Sequence, residues 1–229
     1  MTKLKHKIFE LLLRDLKLSK QERNPALSEE YTLDCLNTCD NIFTSIEKLK
    51  IAEEYVHLSA NCIPSEKGSE IGSYVEYHIE NYIIRSRTIY DRTLIFTNHL
   101  CDIGMSKEFI EHNSIITNQK VINSGLKSYL KAIRKACSKY RDERNSIIHH
   151  DRYKHENLEW VTVANQVASA LGKDYEEILG ISQETLIQNT AAVIWEHRTK
   201  FSSSTEIIVS QVNTFLDQAF EVYDAKTKF

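Results

Sequence analysis

The run from Ile71 to Leu100 limits the fold more than any other part of the chain. Its apolar residues, among them Val75, Ile79, Tyr82, Ile83, Ile89 and Tyr90, wrap more than one face of a helix. A helix of that kind has to be surrounded by other elements, so it reads as the centre of a bundle. Only 6 Gly and 2 Pro occur in 229 residues. That scarcity argues against a turn-rich β protein and for long helices. The expectation is one all-α domain over 1–229, a helical bundle of about six to eight helices.

The other segments fit this reading. Residues 2–18 form an amphipathic pattern with Leu4, Ile8, Leu11 and Leu12 on one face. Asn24-Pro25 ends it, and Ser28 with Glu29 and Glu30 opens a second helix reaching about Ser59. That helix carries Leu36, Cys39, Phe43, Ile46, Leu49, Tyr55 and Val56. Residues 61–72, with Pro64 and Gly68, read as a loop. Gly104 closes the central helix and Ser106 caps a short successor. Ser124 opens the next long helix. Residues 157–170 lean to helix, and Gly172 and Gly180 bracket a short one. A further helix starts at Ser182 and ends near Thr199. Ser203-x-x-Glu206 has the form of a capping box opening the last helix, whose stripe is Ile208, Val212, Phe215, Leu216, Ala219 and Tyr223.

In the helix opened by Ser124, the stripe Leu126, Leu130, Ile133, Cys137 and Tyr140 continues onto Arg144. A guanidinium thus falls where the pattern asks for an apolar side chain, and such departures gather at functional sites. Asn145 and His149 lie four apart, about 40° round a helix. Arg144 and His149 lie five apart and diverge by about 140° on an unbroken helix. Either the helix ends between them, or the site closes when a second copy supplies its own pair. Histidine moves protons near neutrality, arginine clamps a phosphate, and an amide orients either one. The structural alternative is a buried polar cluster that orders the core.

Arg144-Asn145-x-x-x-His149 resembles the R-x4-H motif, with Asn after the Arg, of the HEPN superfamily. The resemblance covers about residues 71–153, with flanking helices at 1–60 and 157–225. It implies an all-helical, usually homodimeric domain in which the Arg and His of both protomers meet. It also implies a metal-independent endoribonuclease of toxin or antiviral defence type, leaving a 2′,3′-cyclic phosphate, with Arg144, Asn145 and His149 as catalytic residues. An antitoxin or defence-system partner is implied with it. The alternative is a catalytically inactive HEPN module binding RNA, a nucleotide or a partner protein. A structural helical adaptor is the third class. One HEPN subset carries a tyrosine two residues after the His, the site of adenylylation. Asp151 stands there in this chain, and Tyr153 is four residues after His149.

His150 is placed to substitute for His149 after a one-residue shift. Glu80 and Asp91 on the central helix are candidate auxiliary partners for Arg144, against a surface i, i+4 pair between Arg87 and Asp91. Residues 131–155 hold eight Lys/Arg against three acids, a local +5 within a chain of net charge −3. Positive charge therefore gathers where a phosphate backbone needs it. Arg141, Arg152, Tyr153 and Lys154 are the candidate RNA contacts, with His155 beside them. The histidines at 149, 150 and 155 with Asp151 lack recognisable ligand spacing, so no metal or other cofactor is expected. Cys35 and Cys39 read as core thiols. The chain shows no signal peptide and no apolar run of membrane-spanning length, and a cytoplasmic location with reduced thiols is expected.

Overall fold

The computed structural model describes residues 6–19, 29–59, 70–150 and 152–227. Leu4, the Asn24-Pro25 break, the Ser28 cap, Cys62, the Pro64 and Gly68 loop and Asp151 lie outside the described residues. Every regular element among the described residues is helical: ten α-helices and two short 3-10 turns. This is the expected class with more pieces than the six to eight anticipated. The helices are α1 (Lys7–Ser19), α2 (Glu29–Leu58), α3 (Ile71–Leu100), α4 (His112–Ile116), α5 (Gln119–Asn123), α6 (Lys127–Ala136), α7 (Arg141–His149), α8 (Glu156–Leu171), α9 (Tyr175–Leu179) and α10 (Gln183–Thr227).

Internal contacts group the chain into two compact units. The first comprises 1–47, 87–139 and 206–229; the second comprises 48–86 and 140–205. In the first, Ile8 and Leu12 of α1, Cys39 and Ile42 of α2, Phe96 of α3 and the α10 stripe from Ile208 to Tyr223 are wholly buried. Phe9 meets Phe43 edge-on at 5.9 Å, and Phe96 meets Phe215 at 6.1 Å. Burying each such side chain contributes about 1.5–3 kcal/mol. Cys35, Cys39, Cys101 and Cys137 are buried free thiols. Burial pushes the Cys35 thiol up to about 12, which keeps it protonated and inert.

The end of α3 differs from expectation in detail. Asp102, not Gly104, takes the left-handed position next to the helix, with φ 49°. Asp102 N donates to His99 O and Ile103 N to Asn98 O, each at 2.9 Å, the paired bonds of a Schellman motif. The Asn98 side chain then holds Met105 through both its N–H and its carbonyl. Gly104, at φ 76°, continues the turn.

In the second unit, Tyr82 of α3 stacks on Phe201 of α10 at 3.8 Å and donates to Phe201 O at 2.9 Å. Tyr140 packs edge-on against both rings. A smaller cluster seats Tyr175 of α9 between Ala164 of α8 and Leu186 of α10.

Two expectations about helix continuity are corrected. The helix opened near Ser124 is two helices, α6 and α7, interrupted at 137–140. There the Ser138 hydroxyl binds Arg134 O at 2.6 Å, and Tyr140 leaves helical geometry at φ −111°, ψ 36°. Conversely, the two helices expected around Thr199 and Ser203 are one, α10. The Thr199 hydroxyl bonds back to Trp195 O at 2.9 Å, within the helix, while Phe201, Ser204 and Thr205 are buried. Burial of that segment overrides the capping signal.

Candidate functional site

Helix α7 carries the motif, and none of its residues is fully buried. Arg144 and His149 both lie within α7, so the helix does not end between them. One copy of the chain therefore presents the two side chains on different flanks.

Arg144 is half-buried. Its Nε is enclosed and meets no hydrogen-bond partner. Its Nη1 lies 3.4 Å from Asn145 Oδ1, a long contact between neighbours. Among the described residues it forms no ion pair. An enclosed guanidinium edge with unfilled donors can take up an anion, because leaving such a group unpaired is costly. His149 and His150 are exposed, with ring centroids 6.3 Å apart. His150 caps α7, its N–H donating to Ser146 O at 2.9 Å.

The auxiliary carboxylates sit elsewhere. Glu80 Oε1 accepts from the backbone N–H of Tyr153 at 2.7 Å, so it fastens the segment after the motif. Asp91 pairs with Arg87 at 3.4 Å, four residues apart on α3. Among the described residues Glu80 makes no ion pair with Arg144.

The four candidate RNA contacts separate into two kinds. Arg141 and Lys154 are exposed. Arg152 is 3.4 Å from Glu76 and 3.6 Å from Glu159. Tyr153 is half-buried in a ring cluster: it stacks on His155 with centroids 6.2 Å apart and meets His197 edge-on at 5.8 Å. Burial pushes its hydroxyl up to about 12.

Sequence reasoning missed His197 and Glu196. His197 Nδ1 lies 2.9 Å from Val193 O and its Nε2 lies 3.2 Å from Tyr153 Oη. Desolvation lowers the His197 pKa, which favours the neutral ring, and the Val193 carbonyl draws its one proton to Nδ1. Glu196 Oε1 accepts from Lys200 at 2.6 Å and lies 3.9 Å from His155 Nε2. The Lys200 hydrogen bond holds the Glu196 carboxyl below its ordinary range. No spacing in the sequence marks this cluster, since Tyr153 and His155 lie in the segment between α7 and α8 while Glu196 and His197 lie on α10.

Beside Glu196 a groove of about 310 Å³ opens between α8 and α10, lined by Asn157, Trp160, Val161, Asn189, Ala192, Val193 and Glu196. Among the described residues no three His, Cys, Asp or Glu side chains gather as metal ligands. No described helix is long and apolar enough to cross a membrane.

The sequence matches the model of the Cthe2314-like HEPN family over residues 30–190. That span reaches beyond 71–153 on both sides and includes α7, Tyr153, His155 and the α8 side of the groove, while Ala192, Val193, Glu196 and His197 lie past its end. No curated protein and no solved structure matches the chain.

Proposed function

The chain belongs to the Cthe2314-like HEPN family, and on that premise we propose that it is a metal-independent endoribonuclease. The observation that carries this reading is the enclosed, unpartnered Nε of Arg144 beside Asn145 in the R-N-x-x-x-H motif. In the proposed reaction a base removes the proton of a ribose 2′-hydroxyl, and O2′ attacks the adjacent phosphorus. The P–O5′ bond breaks and an acid protonates the departing O5′. The products are a 2′,3′-cyclic phosphate and a 5′-hydroxyl end. His149 transfers protons, Arg144 neutralises the equatorial phosphate oxygens, and Asn145 orients the guanidinium. Because α7 holds Arg144 and His149 about 140° apart, the site closes in a homodimer, where each protomer brings one His149 as base or acid. RNA is the substrate, and a toxin or defence role, with a controlling partner, follows from this activity.

One observation favours a second reading, a catalytically silent module that binds RNA, a nucleotide or a protein. Among the described residues nothing hydrogen-bonds His149, whereas a proton-transferring histidine is ordinarily held by a partner. Cleavage of RNA in EDTA by the purified protein separates the two. The ribonuclease reading expects 2′,3′-cyclic phosphate ends from wild type and none from a folded His149→Ala, His150→Ala double variant. RNA bound without cleavage, at any protein concentration that forms the dimer, selects the second.

A further inference from the structure

We propose that the groove between α8 and α10 is a nucleobase site selective for guanine. The choice of a nucleobase rests on the RNA reading above; the groove itself stands on its own geometry. Its volume of about 310 Å³ lies at the small end of ligand pockets, which run from about 300 to 1,000 Å³. One wall is the indole of Trp160, 45% exposed and without a ring or cation contact among the described residues. The other tryptophan of the chain, Trp195, already carries Arg198 over its ring at 5.4 Å. A half-exposed indole lining a groove of this size offers a stacking surface for a planar ring.

The polar groups define which ring. Asn157 and Asn189 are exposed, and neither carboxamide hydrogen-bonds a described residue. Each offers an N–H donor and a carbonyl acceptor. Glu196 is held as a carboxylate, and both of its recorded contacts, to Lys200 and His155, fall on Oε1. Its Oε2 accepts nothing from the described residues. No Lys or Arg lines the groove, so it is not built for phosphate. A carboxylate wants a base edge rich in donors, and guanine supplies two on one edge, N1–H and the N2 amino group. The guanine O6 and N7 acceptors would then take the carboxamide N–H groups. Adenine and cytosine present one amino donor, and uracil one N–H, against the same carboxylate. Glu196 also links the groove to His155, whose ring packs on His197 at 4.8 Å and stacks on Tyr153, four residues past the motif histidine. A base in the groove is thus next to the segment that follows α7.

The test is fluorescence titration of the full-length Trp195→Phe protein, whose remaining indole is Trp160. Guanosine monophosphate should quench Trp160 and bind more tightly than the adenosine, cytidine or uridine monophosphate. Trp160→Ala, followed by competition against a labelled guanosine nucleotide, and Glu196→Gln should each weaken guanosine binding by roughly tenfold, the loss of one stacking partner or one charged acceptor. Far-ultraviolet circular dichroism of each variant checks folding, and Asn189→Ala gives a second, surface-exposed probe of the same contact. Titration with a 2′-O-methyl oligonucleotide holding a single guanosine distinguishes the sources: tighter binding than the mononucleotide marks an RNA subsite, and equal binding marks a free-nucleotide site. Equal affinity for all four mononucleotides, quenching by inorganic phosphate alone, or a Trp160 shielded from acrylamide as beneath a second copy would overturn the proposal. Cleavage with no guanosine binding speaks against the groove alone, and guanosine binding with no cleavage speaks against the ribonuclease reading alone.

Discussion

Tyr153 Oη and His197 Nε2 lie 3.2 Å apart, and the opposite side of the His197 ring decides which one donates. Val193 O, 2.9 Å from Nδ1, is solely an acceptor, so the ring proton sits on Nδ1. Nε2 is then the acceptor and the tyrosine hydroxyl the donor. Together with the Tyr153 N–H bond to Glu80, this fixes the segment that leaves α7. Tyr153→Phe removes the donor and leaves a buried ring nitrogen unsatisfied. A loss of about 1–3 kcal/mol of unfolding free energy is expected by urea titration, with RNA affinity little changed.

The same histidine makes stability pH-dependent. Its folded pKa is lowered by desolvation, while in the unfolded chain it titrates near its ordinary value of about 6.5. Below that value the unfolded state binds a proton that the folded state resists. The stabilisation is therefore complete above pH of about 6.5 and declines as pH falls towards the lowered folded value. His6, His78 and His112 are lowered in the same sense. The informative quantity is thus the difference between wild type and His197→Gln, whose stability should fall less steeply between pH 7 and 5 in thermal melts (pH range chosen about the ordinary histidine value).

Arg144 should trade stability for activity. Its Nε has no partner and the residue makes no ion pair among the described residues, so Arg144→Met removes an unsatisfied donor and keeps the aliphatic stem. The expected gain is of order 1 kcal/mol, read as a raised melting temperature, together with loss of RNA cleavage. Arg144→Lys keeps the charge without the planar fork and should also fail to cleave. A folded, fully active Arg144→Lys would refute the clamp role.

Electrostatic attraction for RNA should follow pairing rather than position. Arg141 is exposed and forms no ion pair among the described residues, whereas Arg152 is shared between Glu76 and Glu159. Arg141→Glu should weaken RNA binding severalfold and lower the slope of log affinity against log salt by about 1. Arg152→Glu should do less. Filter binding across a salt series measures both.

Gly72 tests the packing of α3 on α8. A Cβ there would lie 2.5 Å from the Cβ of Thr162, which is buried and tied to Leu158 O at 2.7 Å. Gly72→Ala should cost about 1–3 kcal/mol through forced displacement. Thr162→Ala should rescue it only in part, because the Thr162 Cβ remains in the way.

The helical class and its buried faces were legible in the sequence. The α10 stripe from Ile208 through Val212, Phe215, Leu216, Ala219 and Tyr223 is buried throughout, and α3 spans Ile71–Leu100 as its pattern requires. Such periodicity is local: each side chain's direction follows from its own helix. The motif was legible for the same reason, since Arg144, Asn145 and His149 lie within one short segment. Helix ends were less so. A hydroxyl that caps one helix bonds back along another, as Ser138 and Thr199 do, and burial of the flanking residues decides the outcome. Only tertiary structure could bring Glu80 to Tyr153, Tyr153 to His197, and Asn157 and Trp160 across from Asn189 and Glu196. Those partners stand tens of residues apart, and no local pattern encodes which faces of α3, α8 and α10 meet.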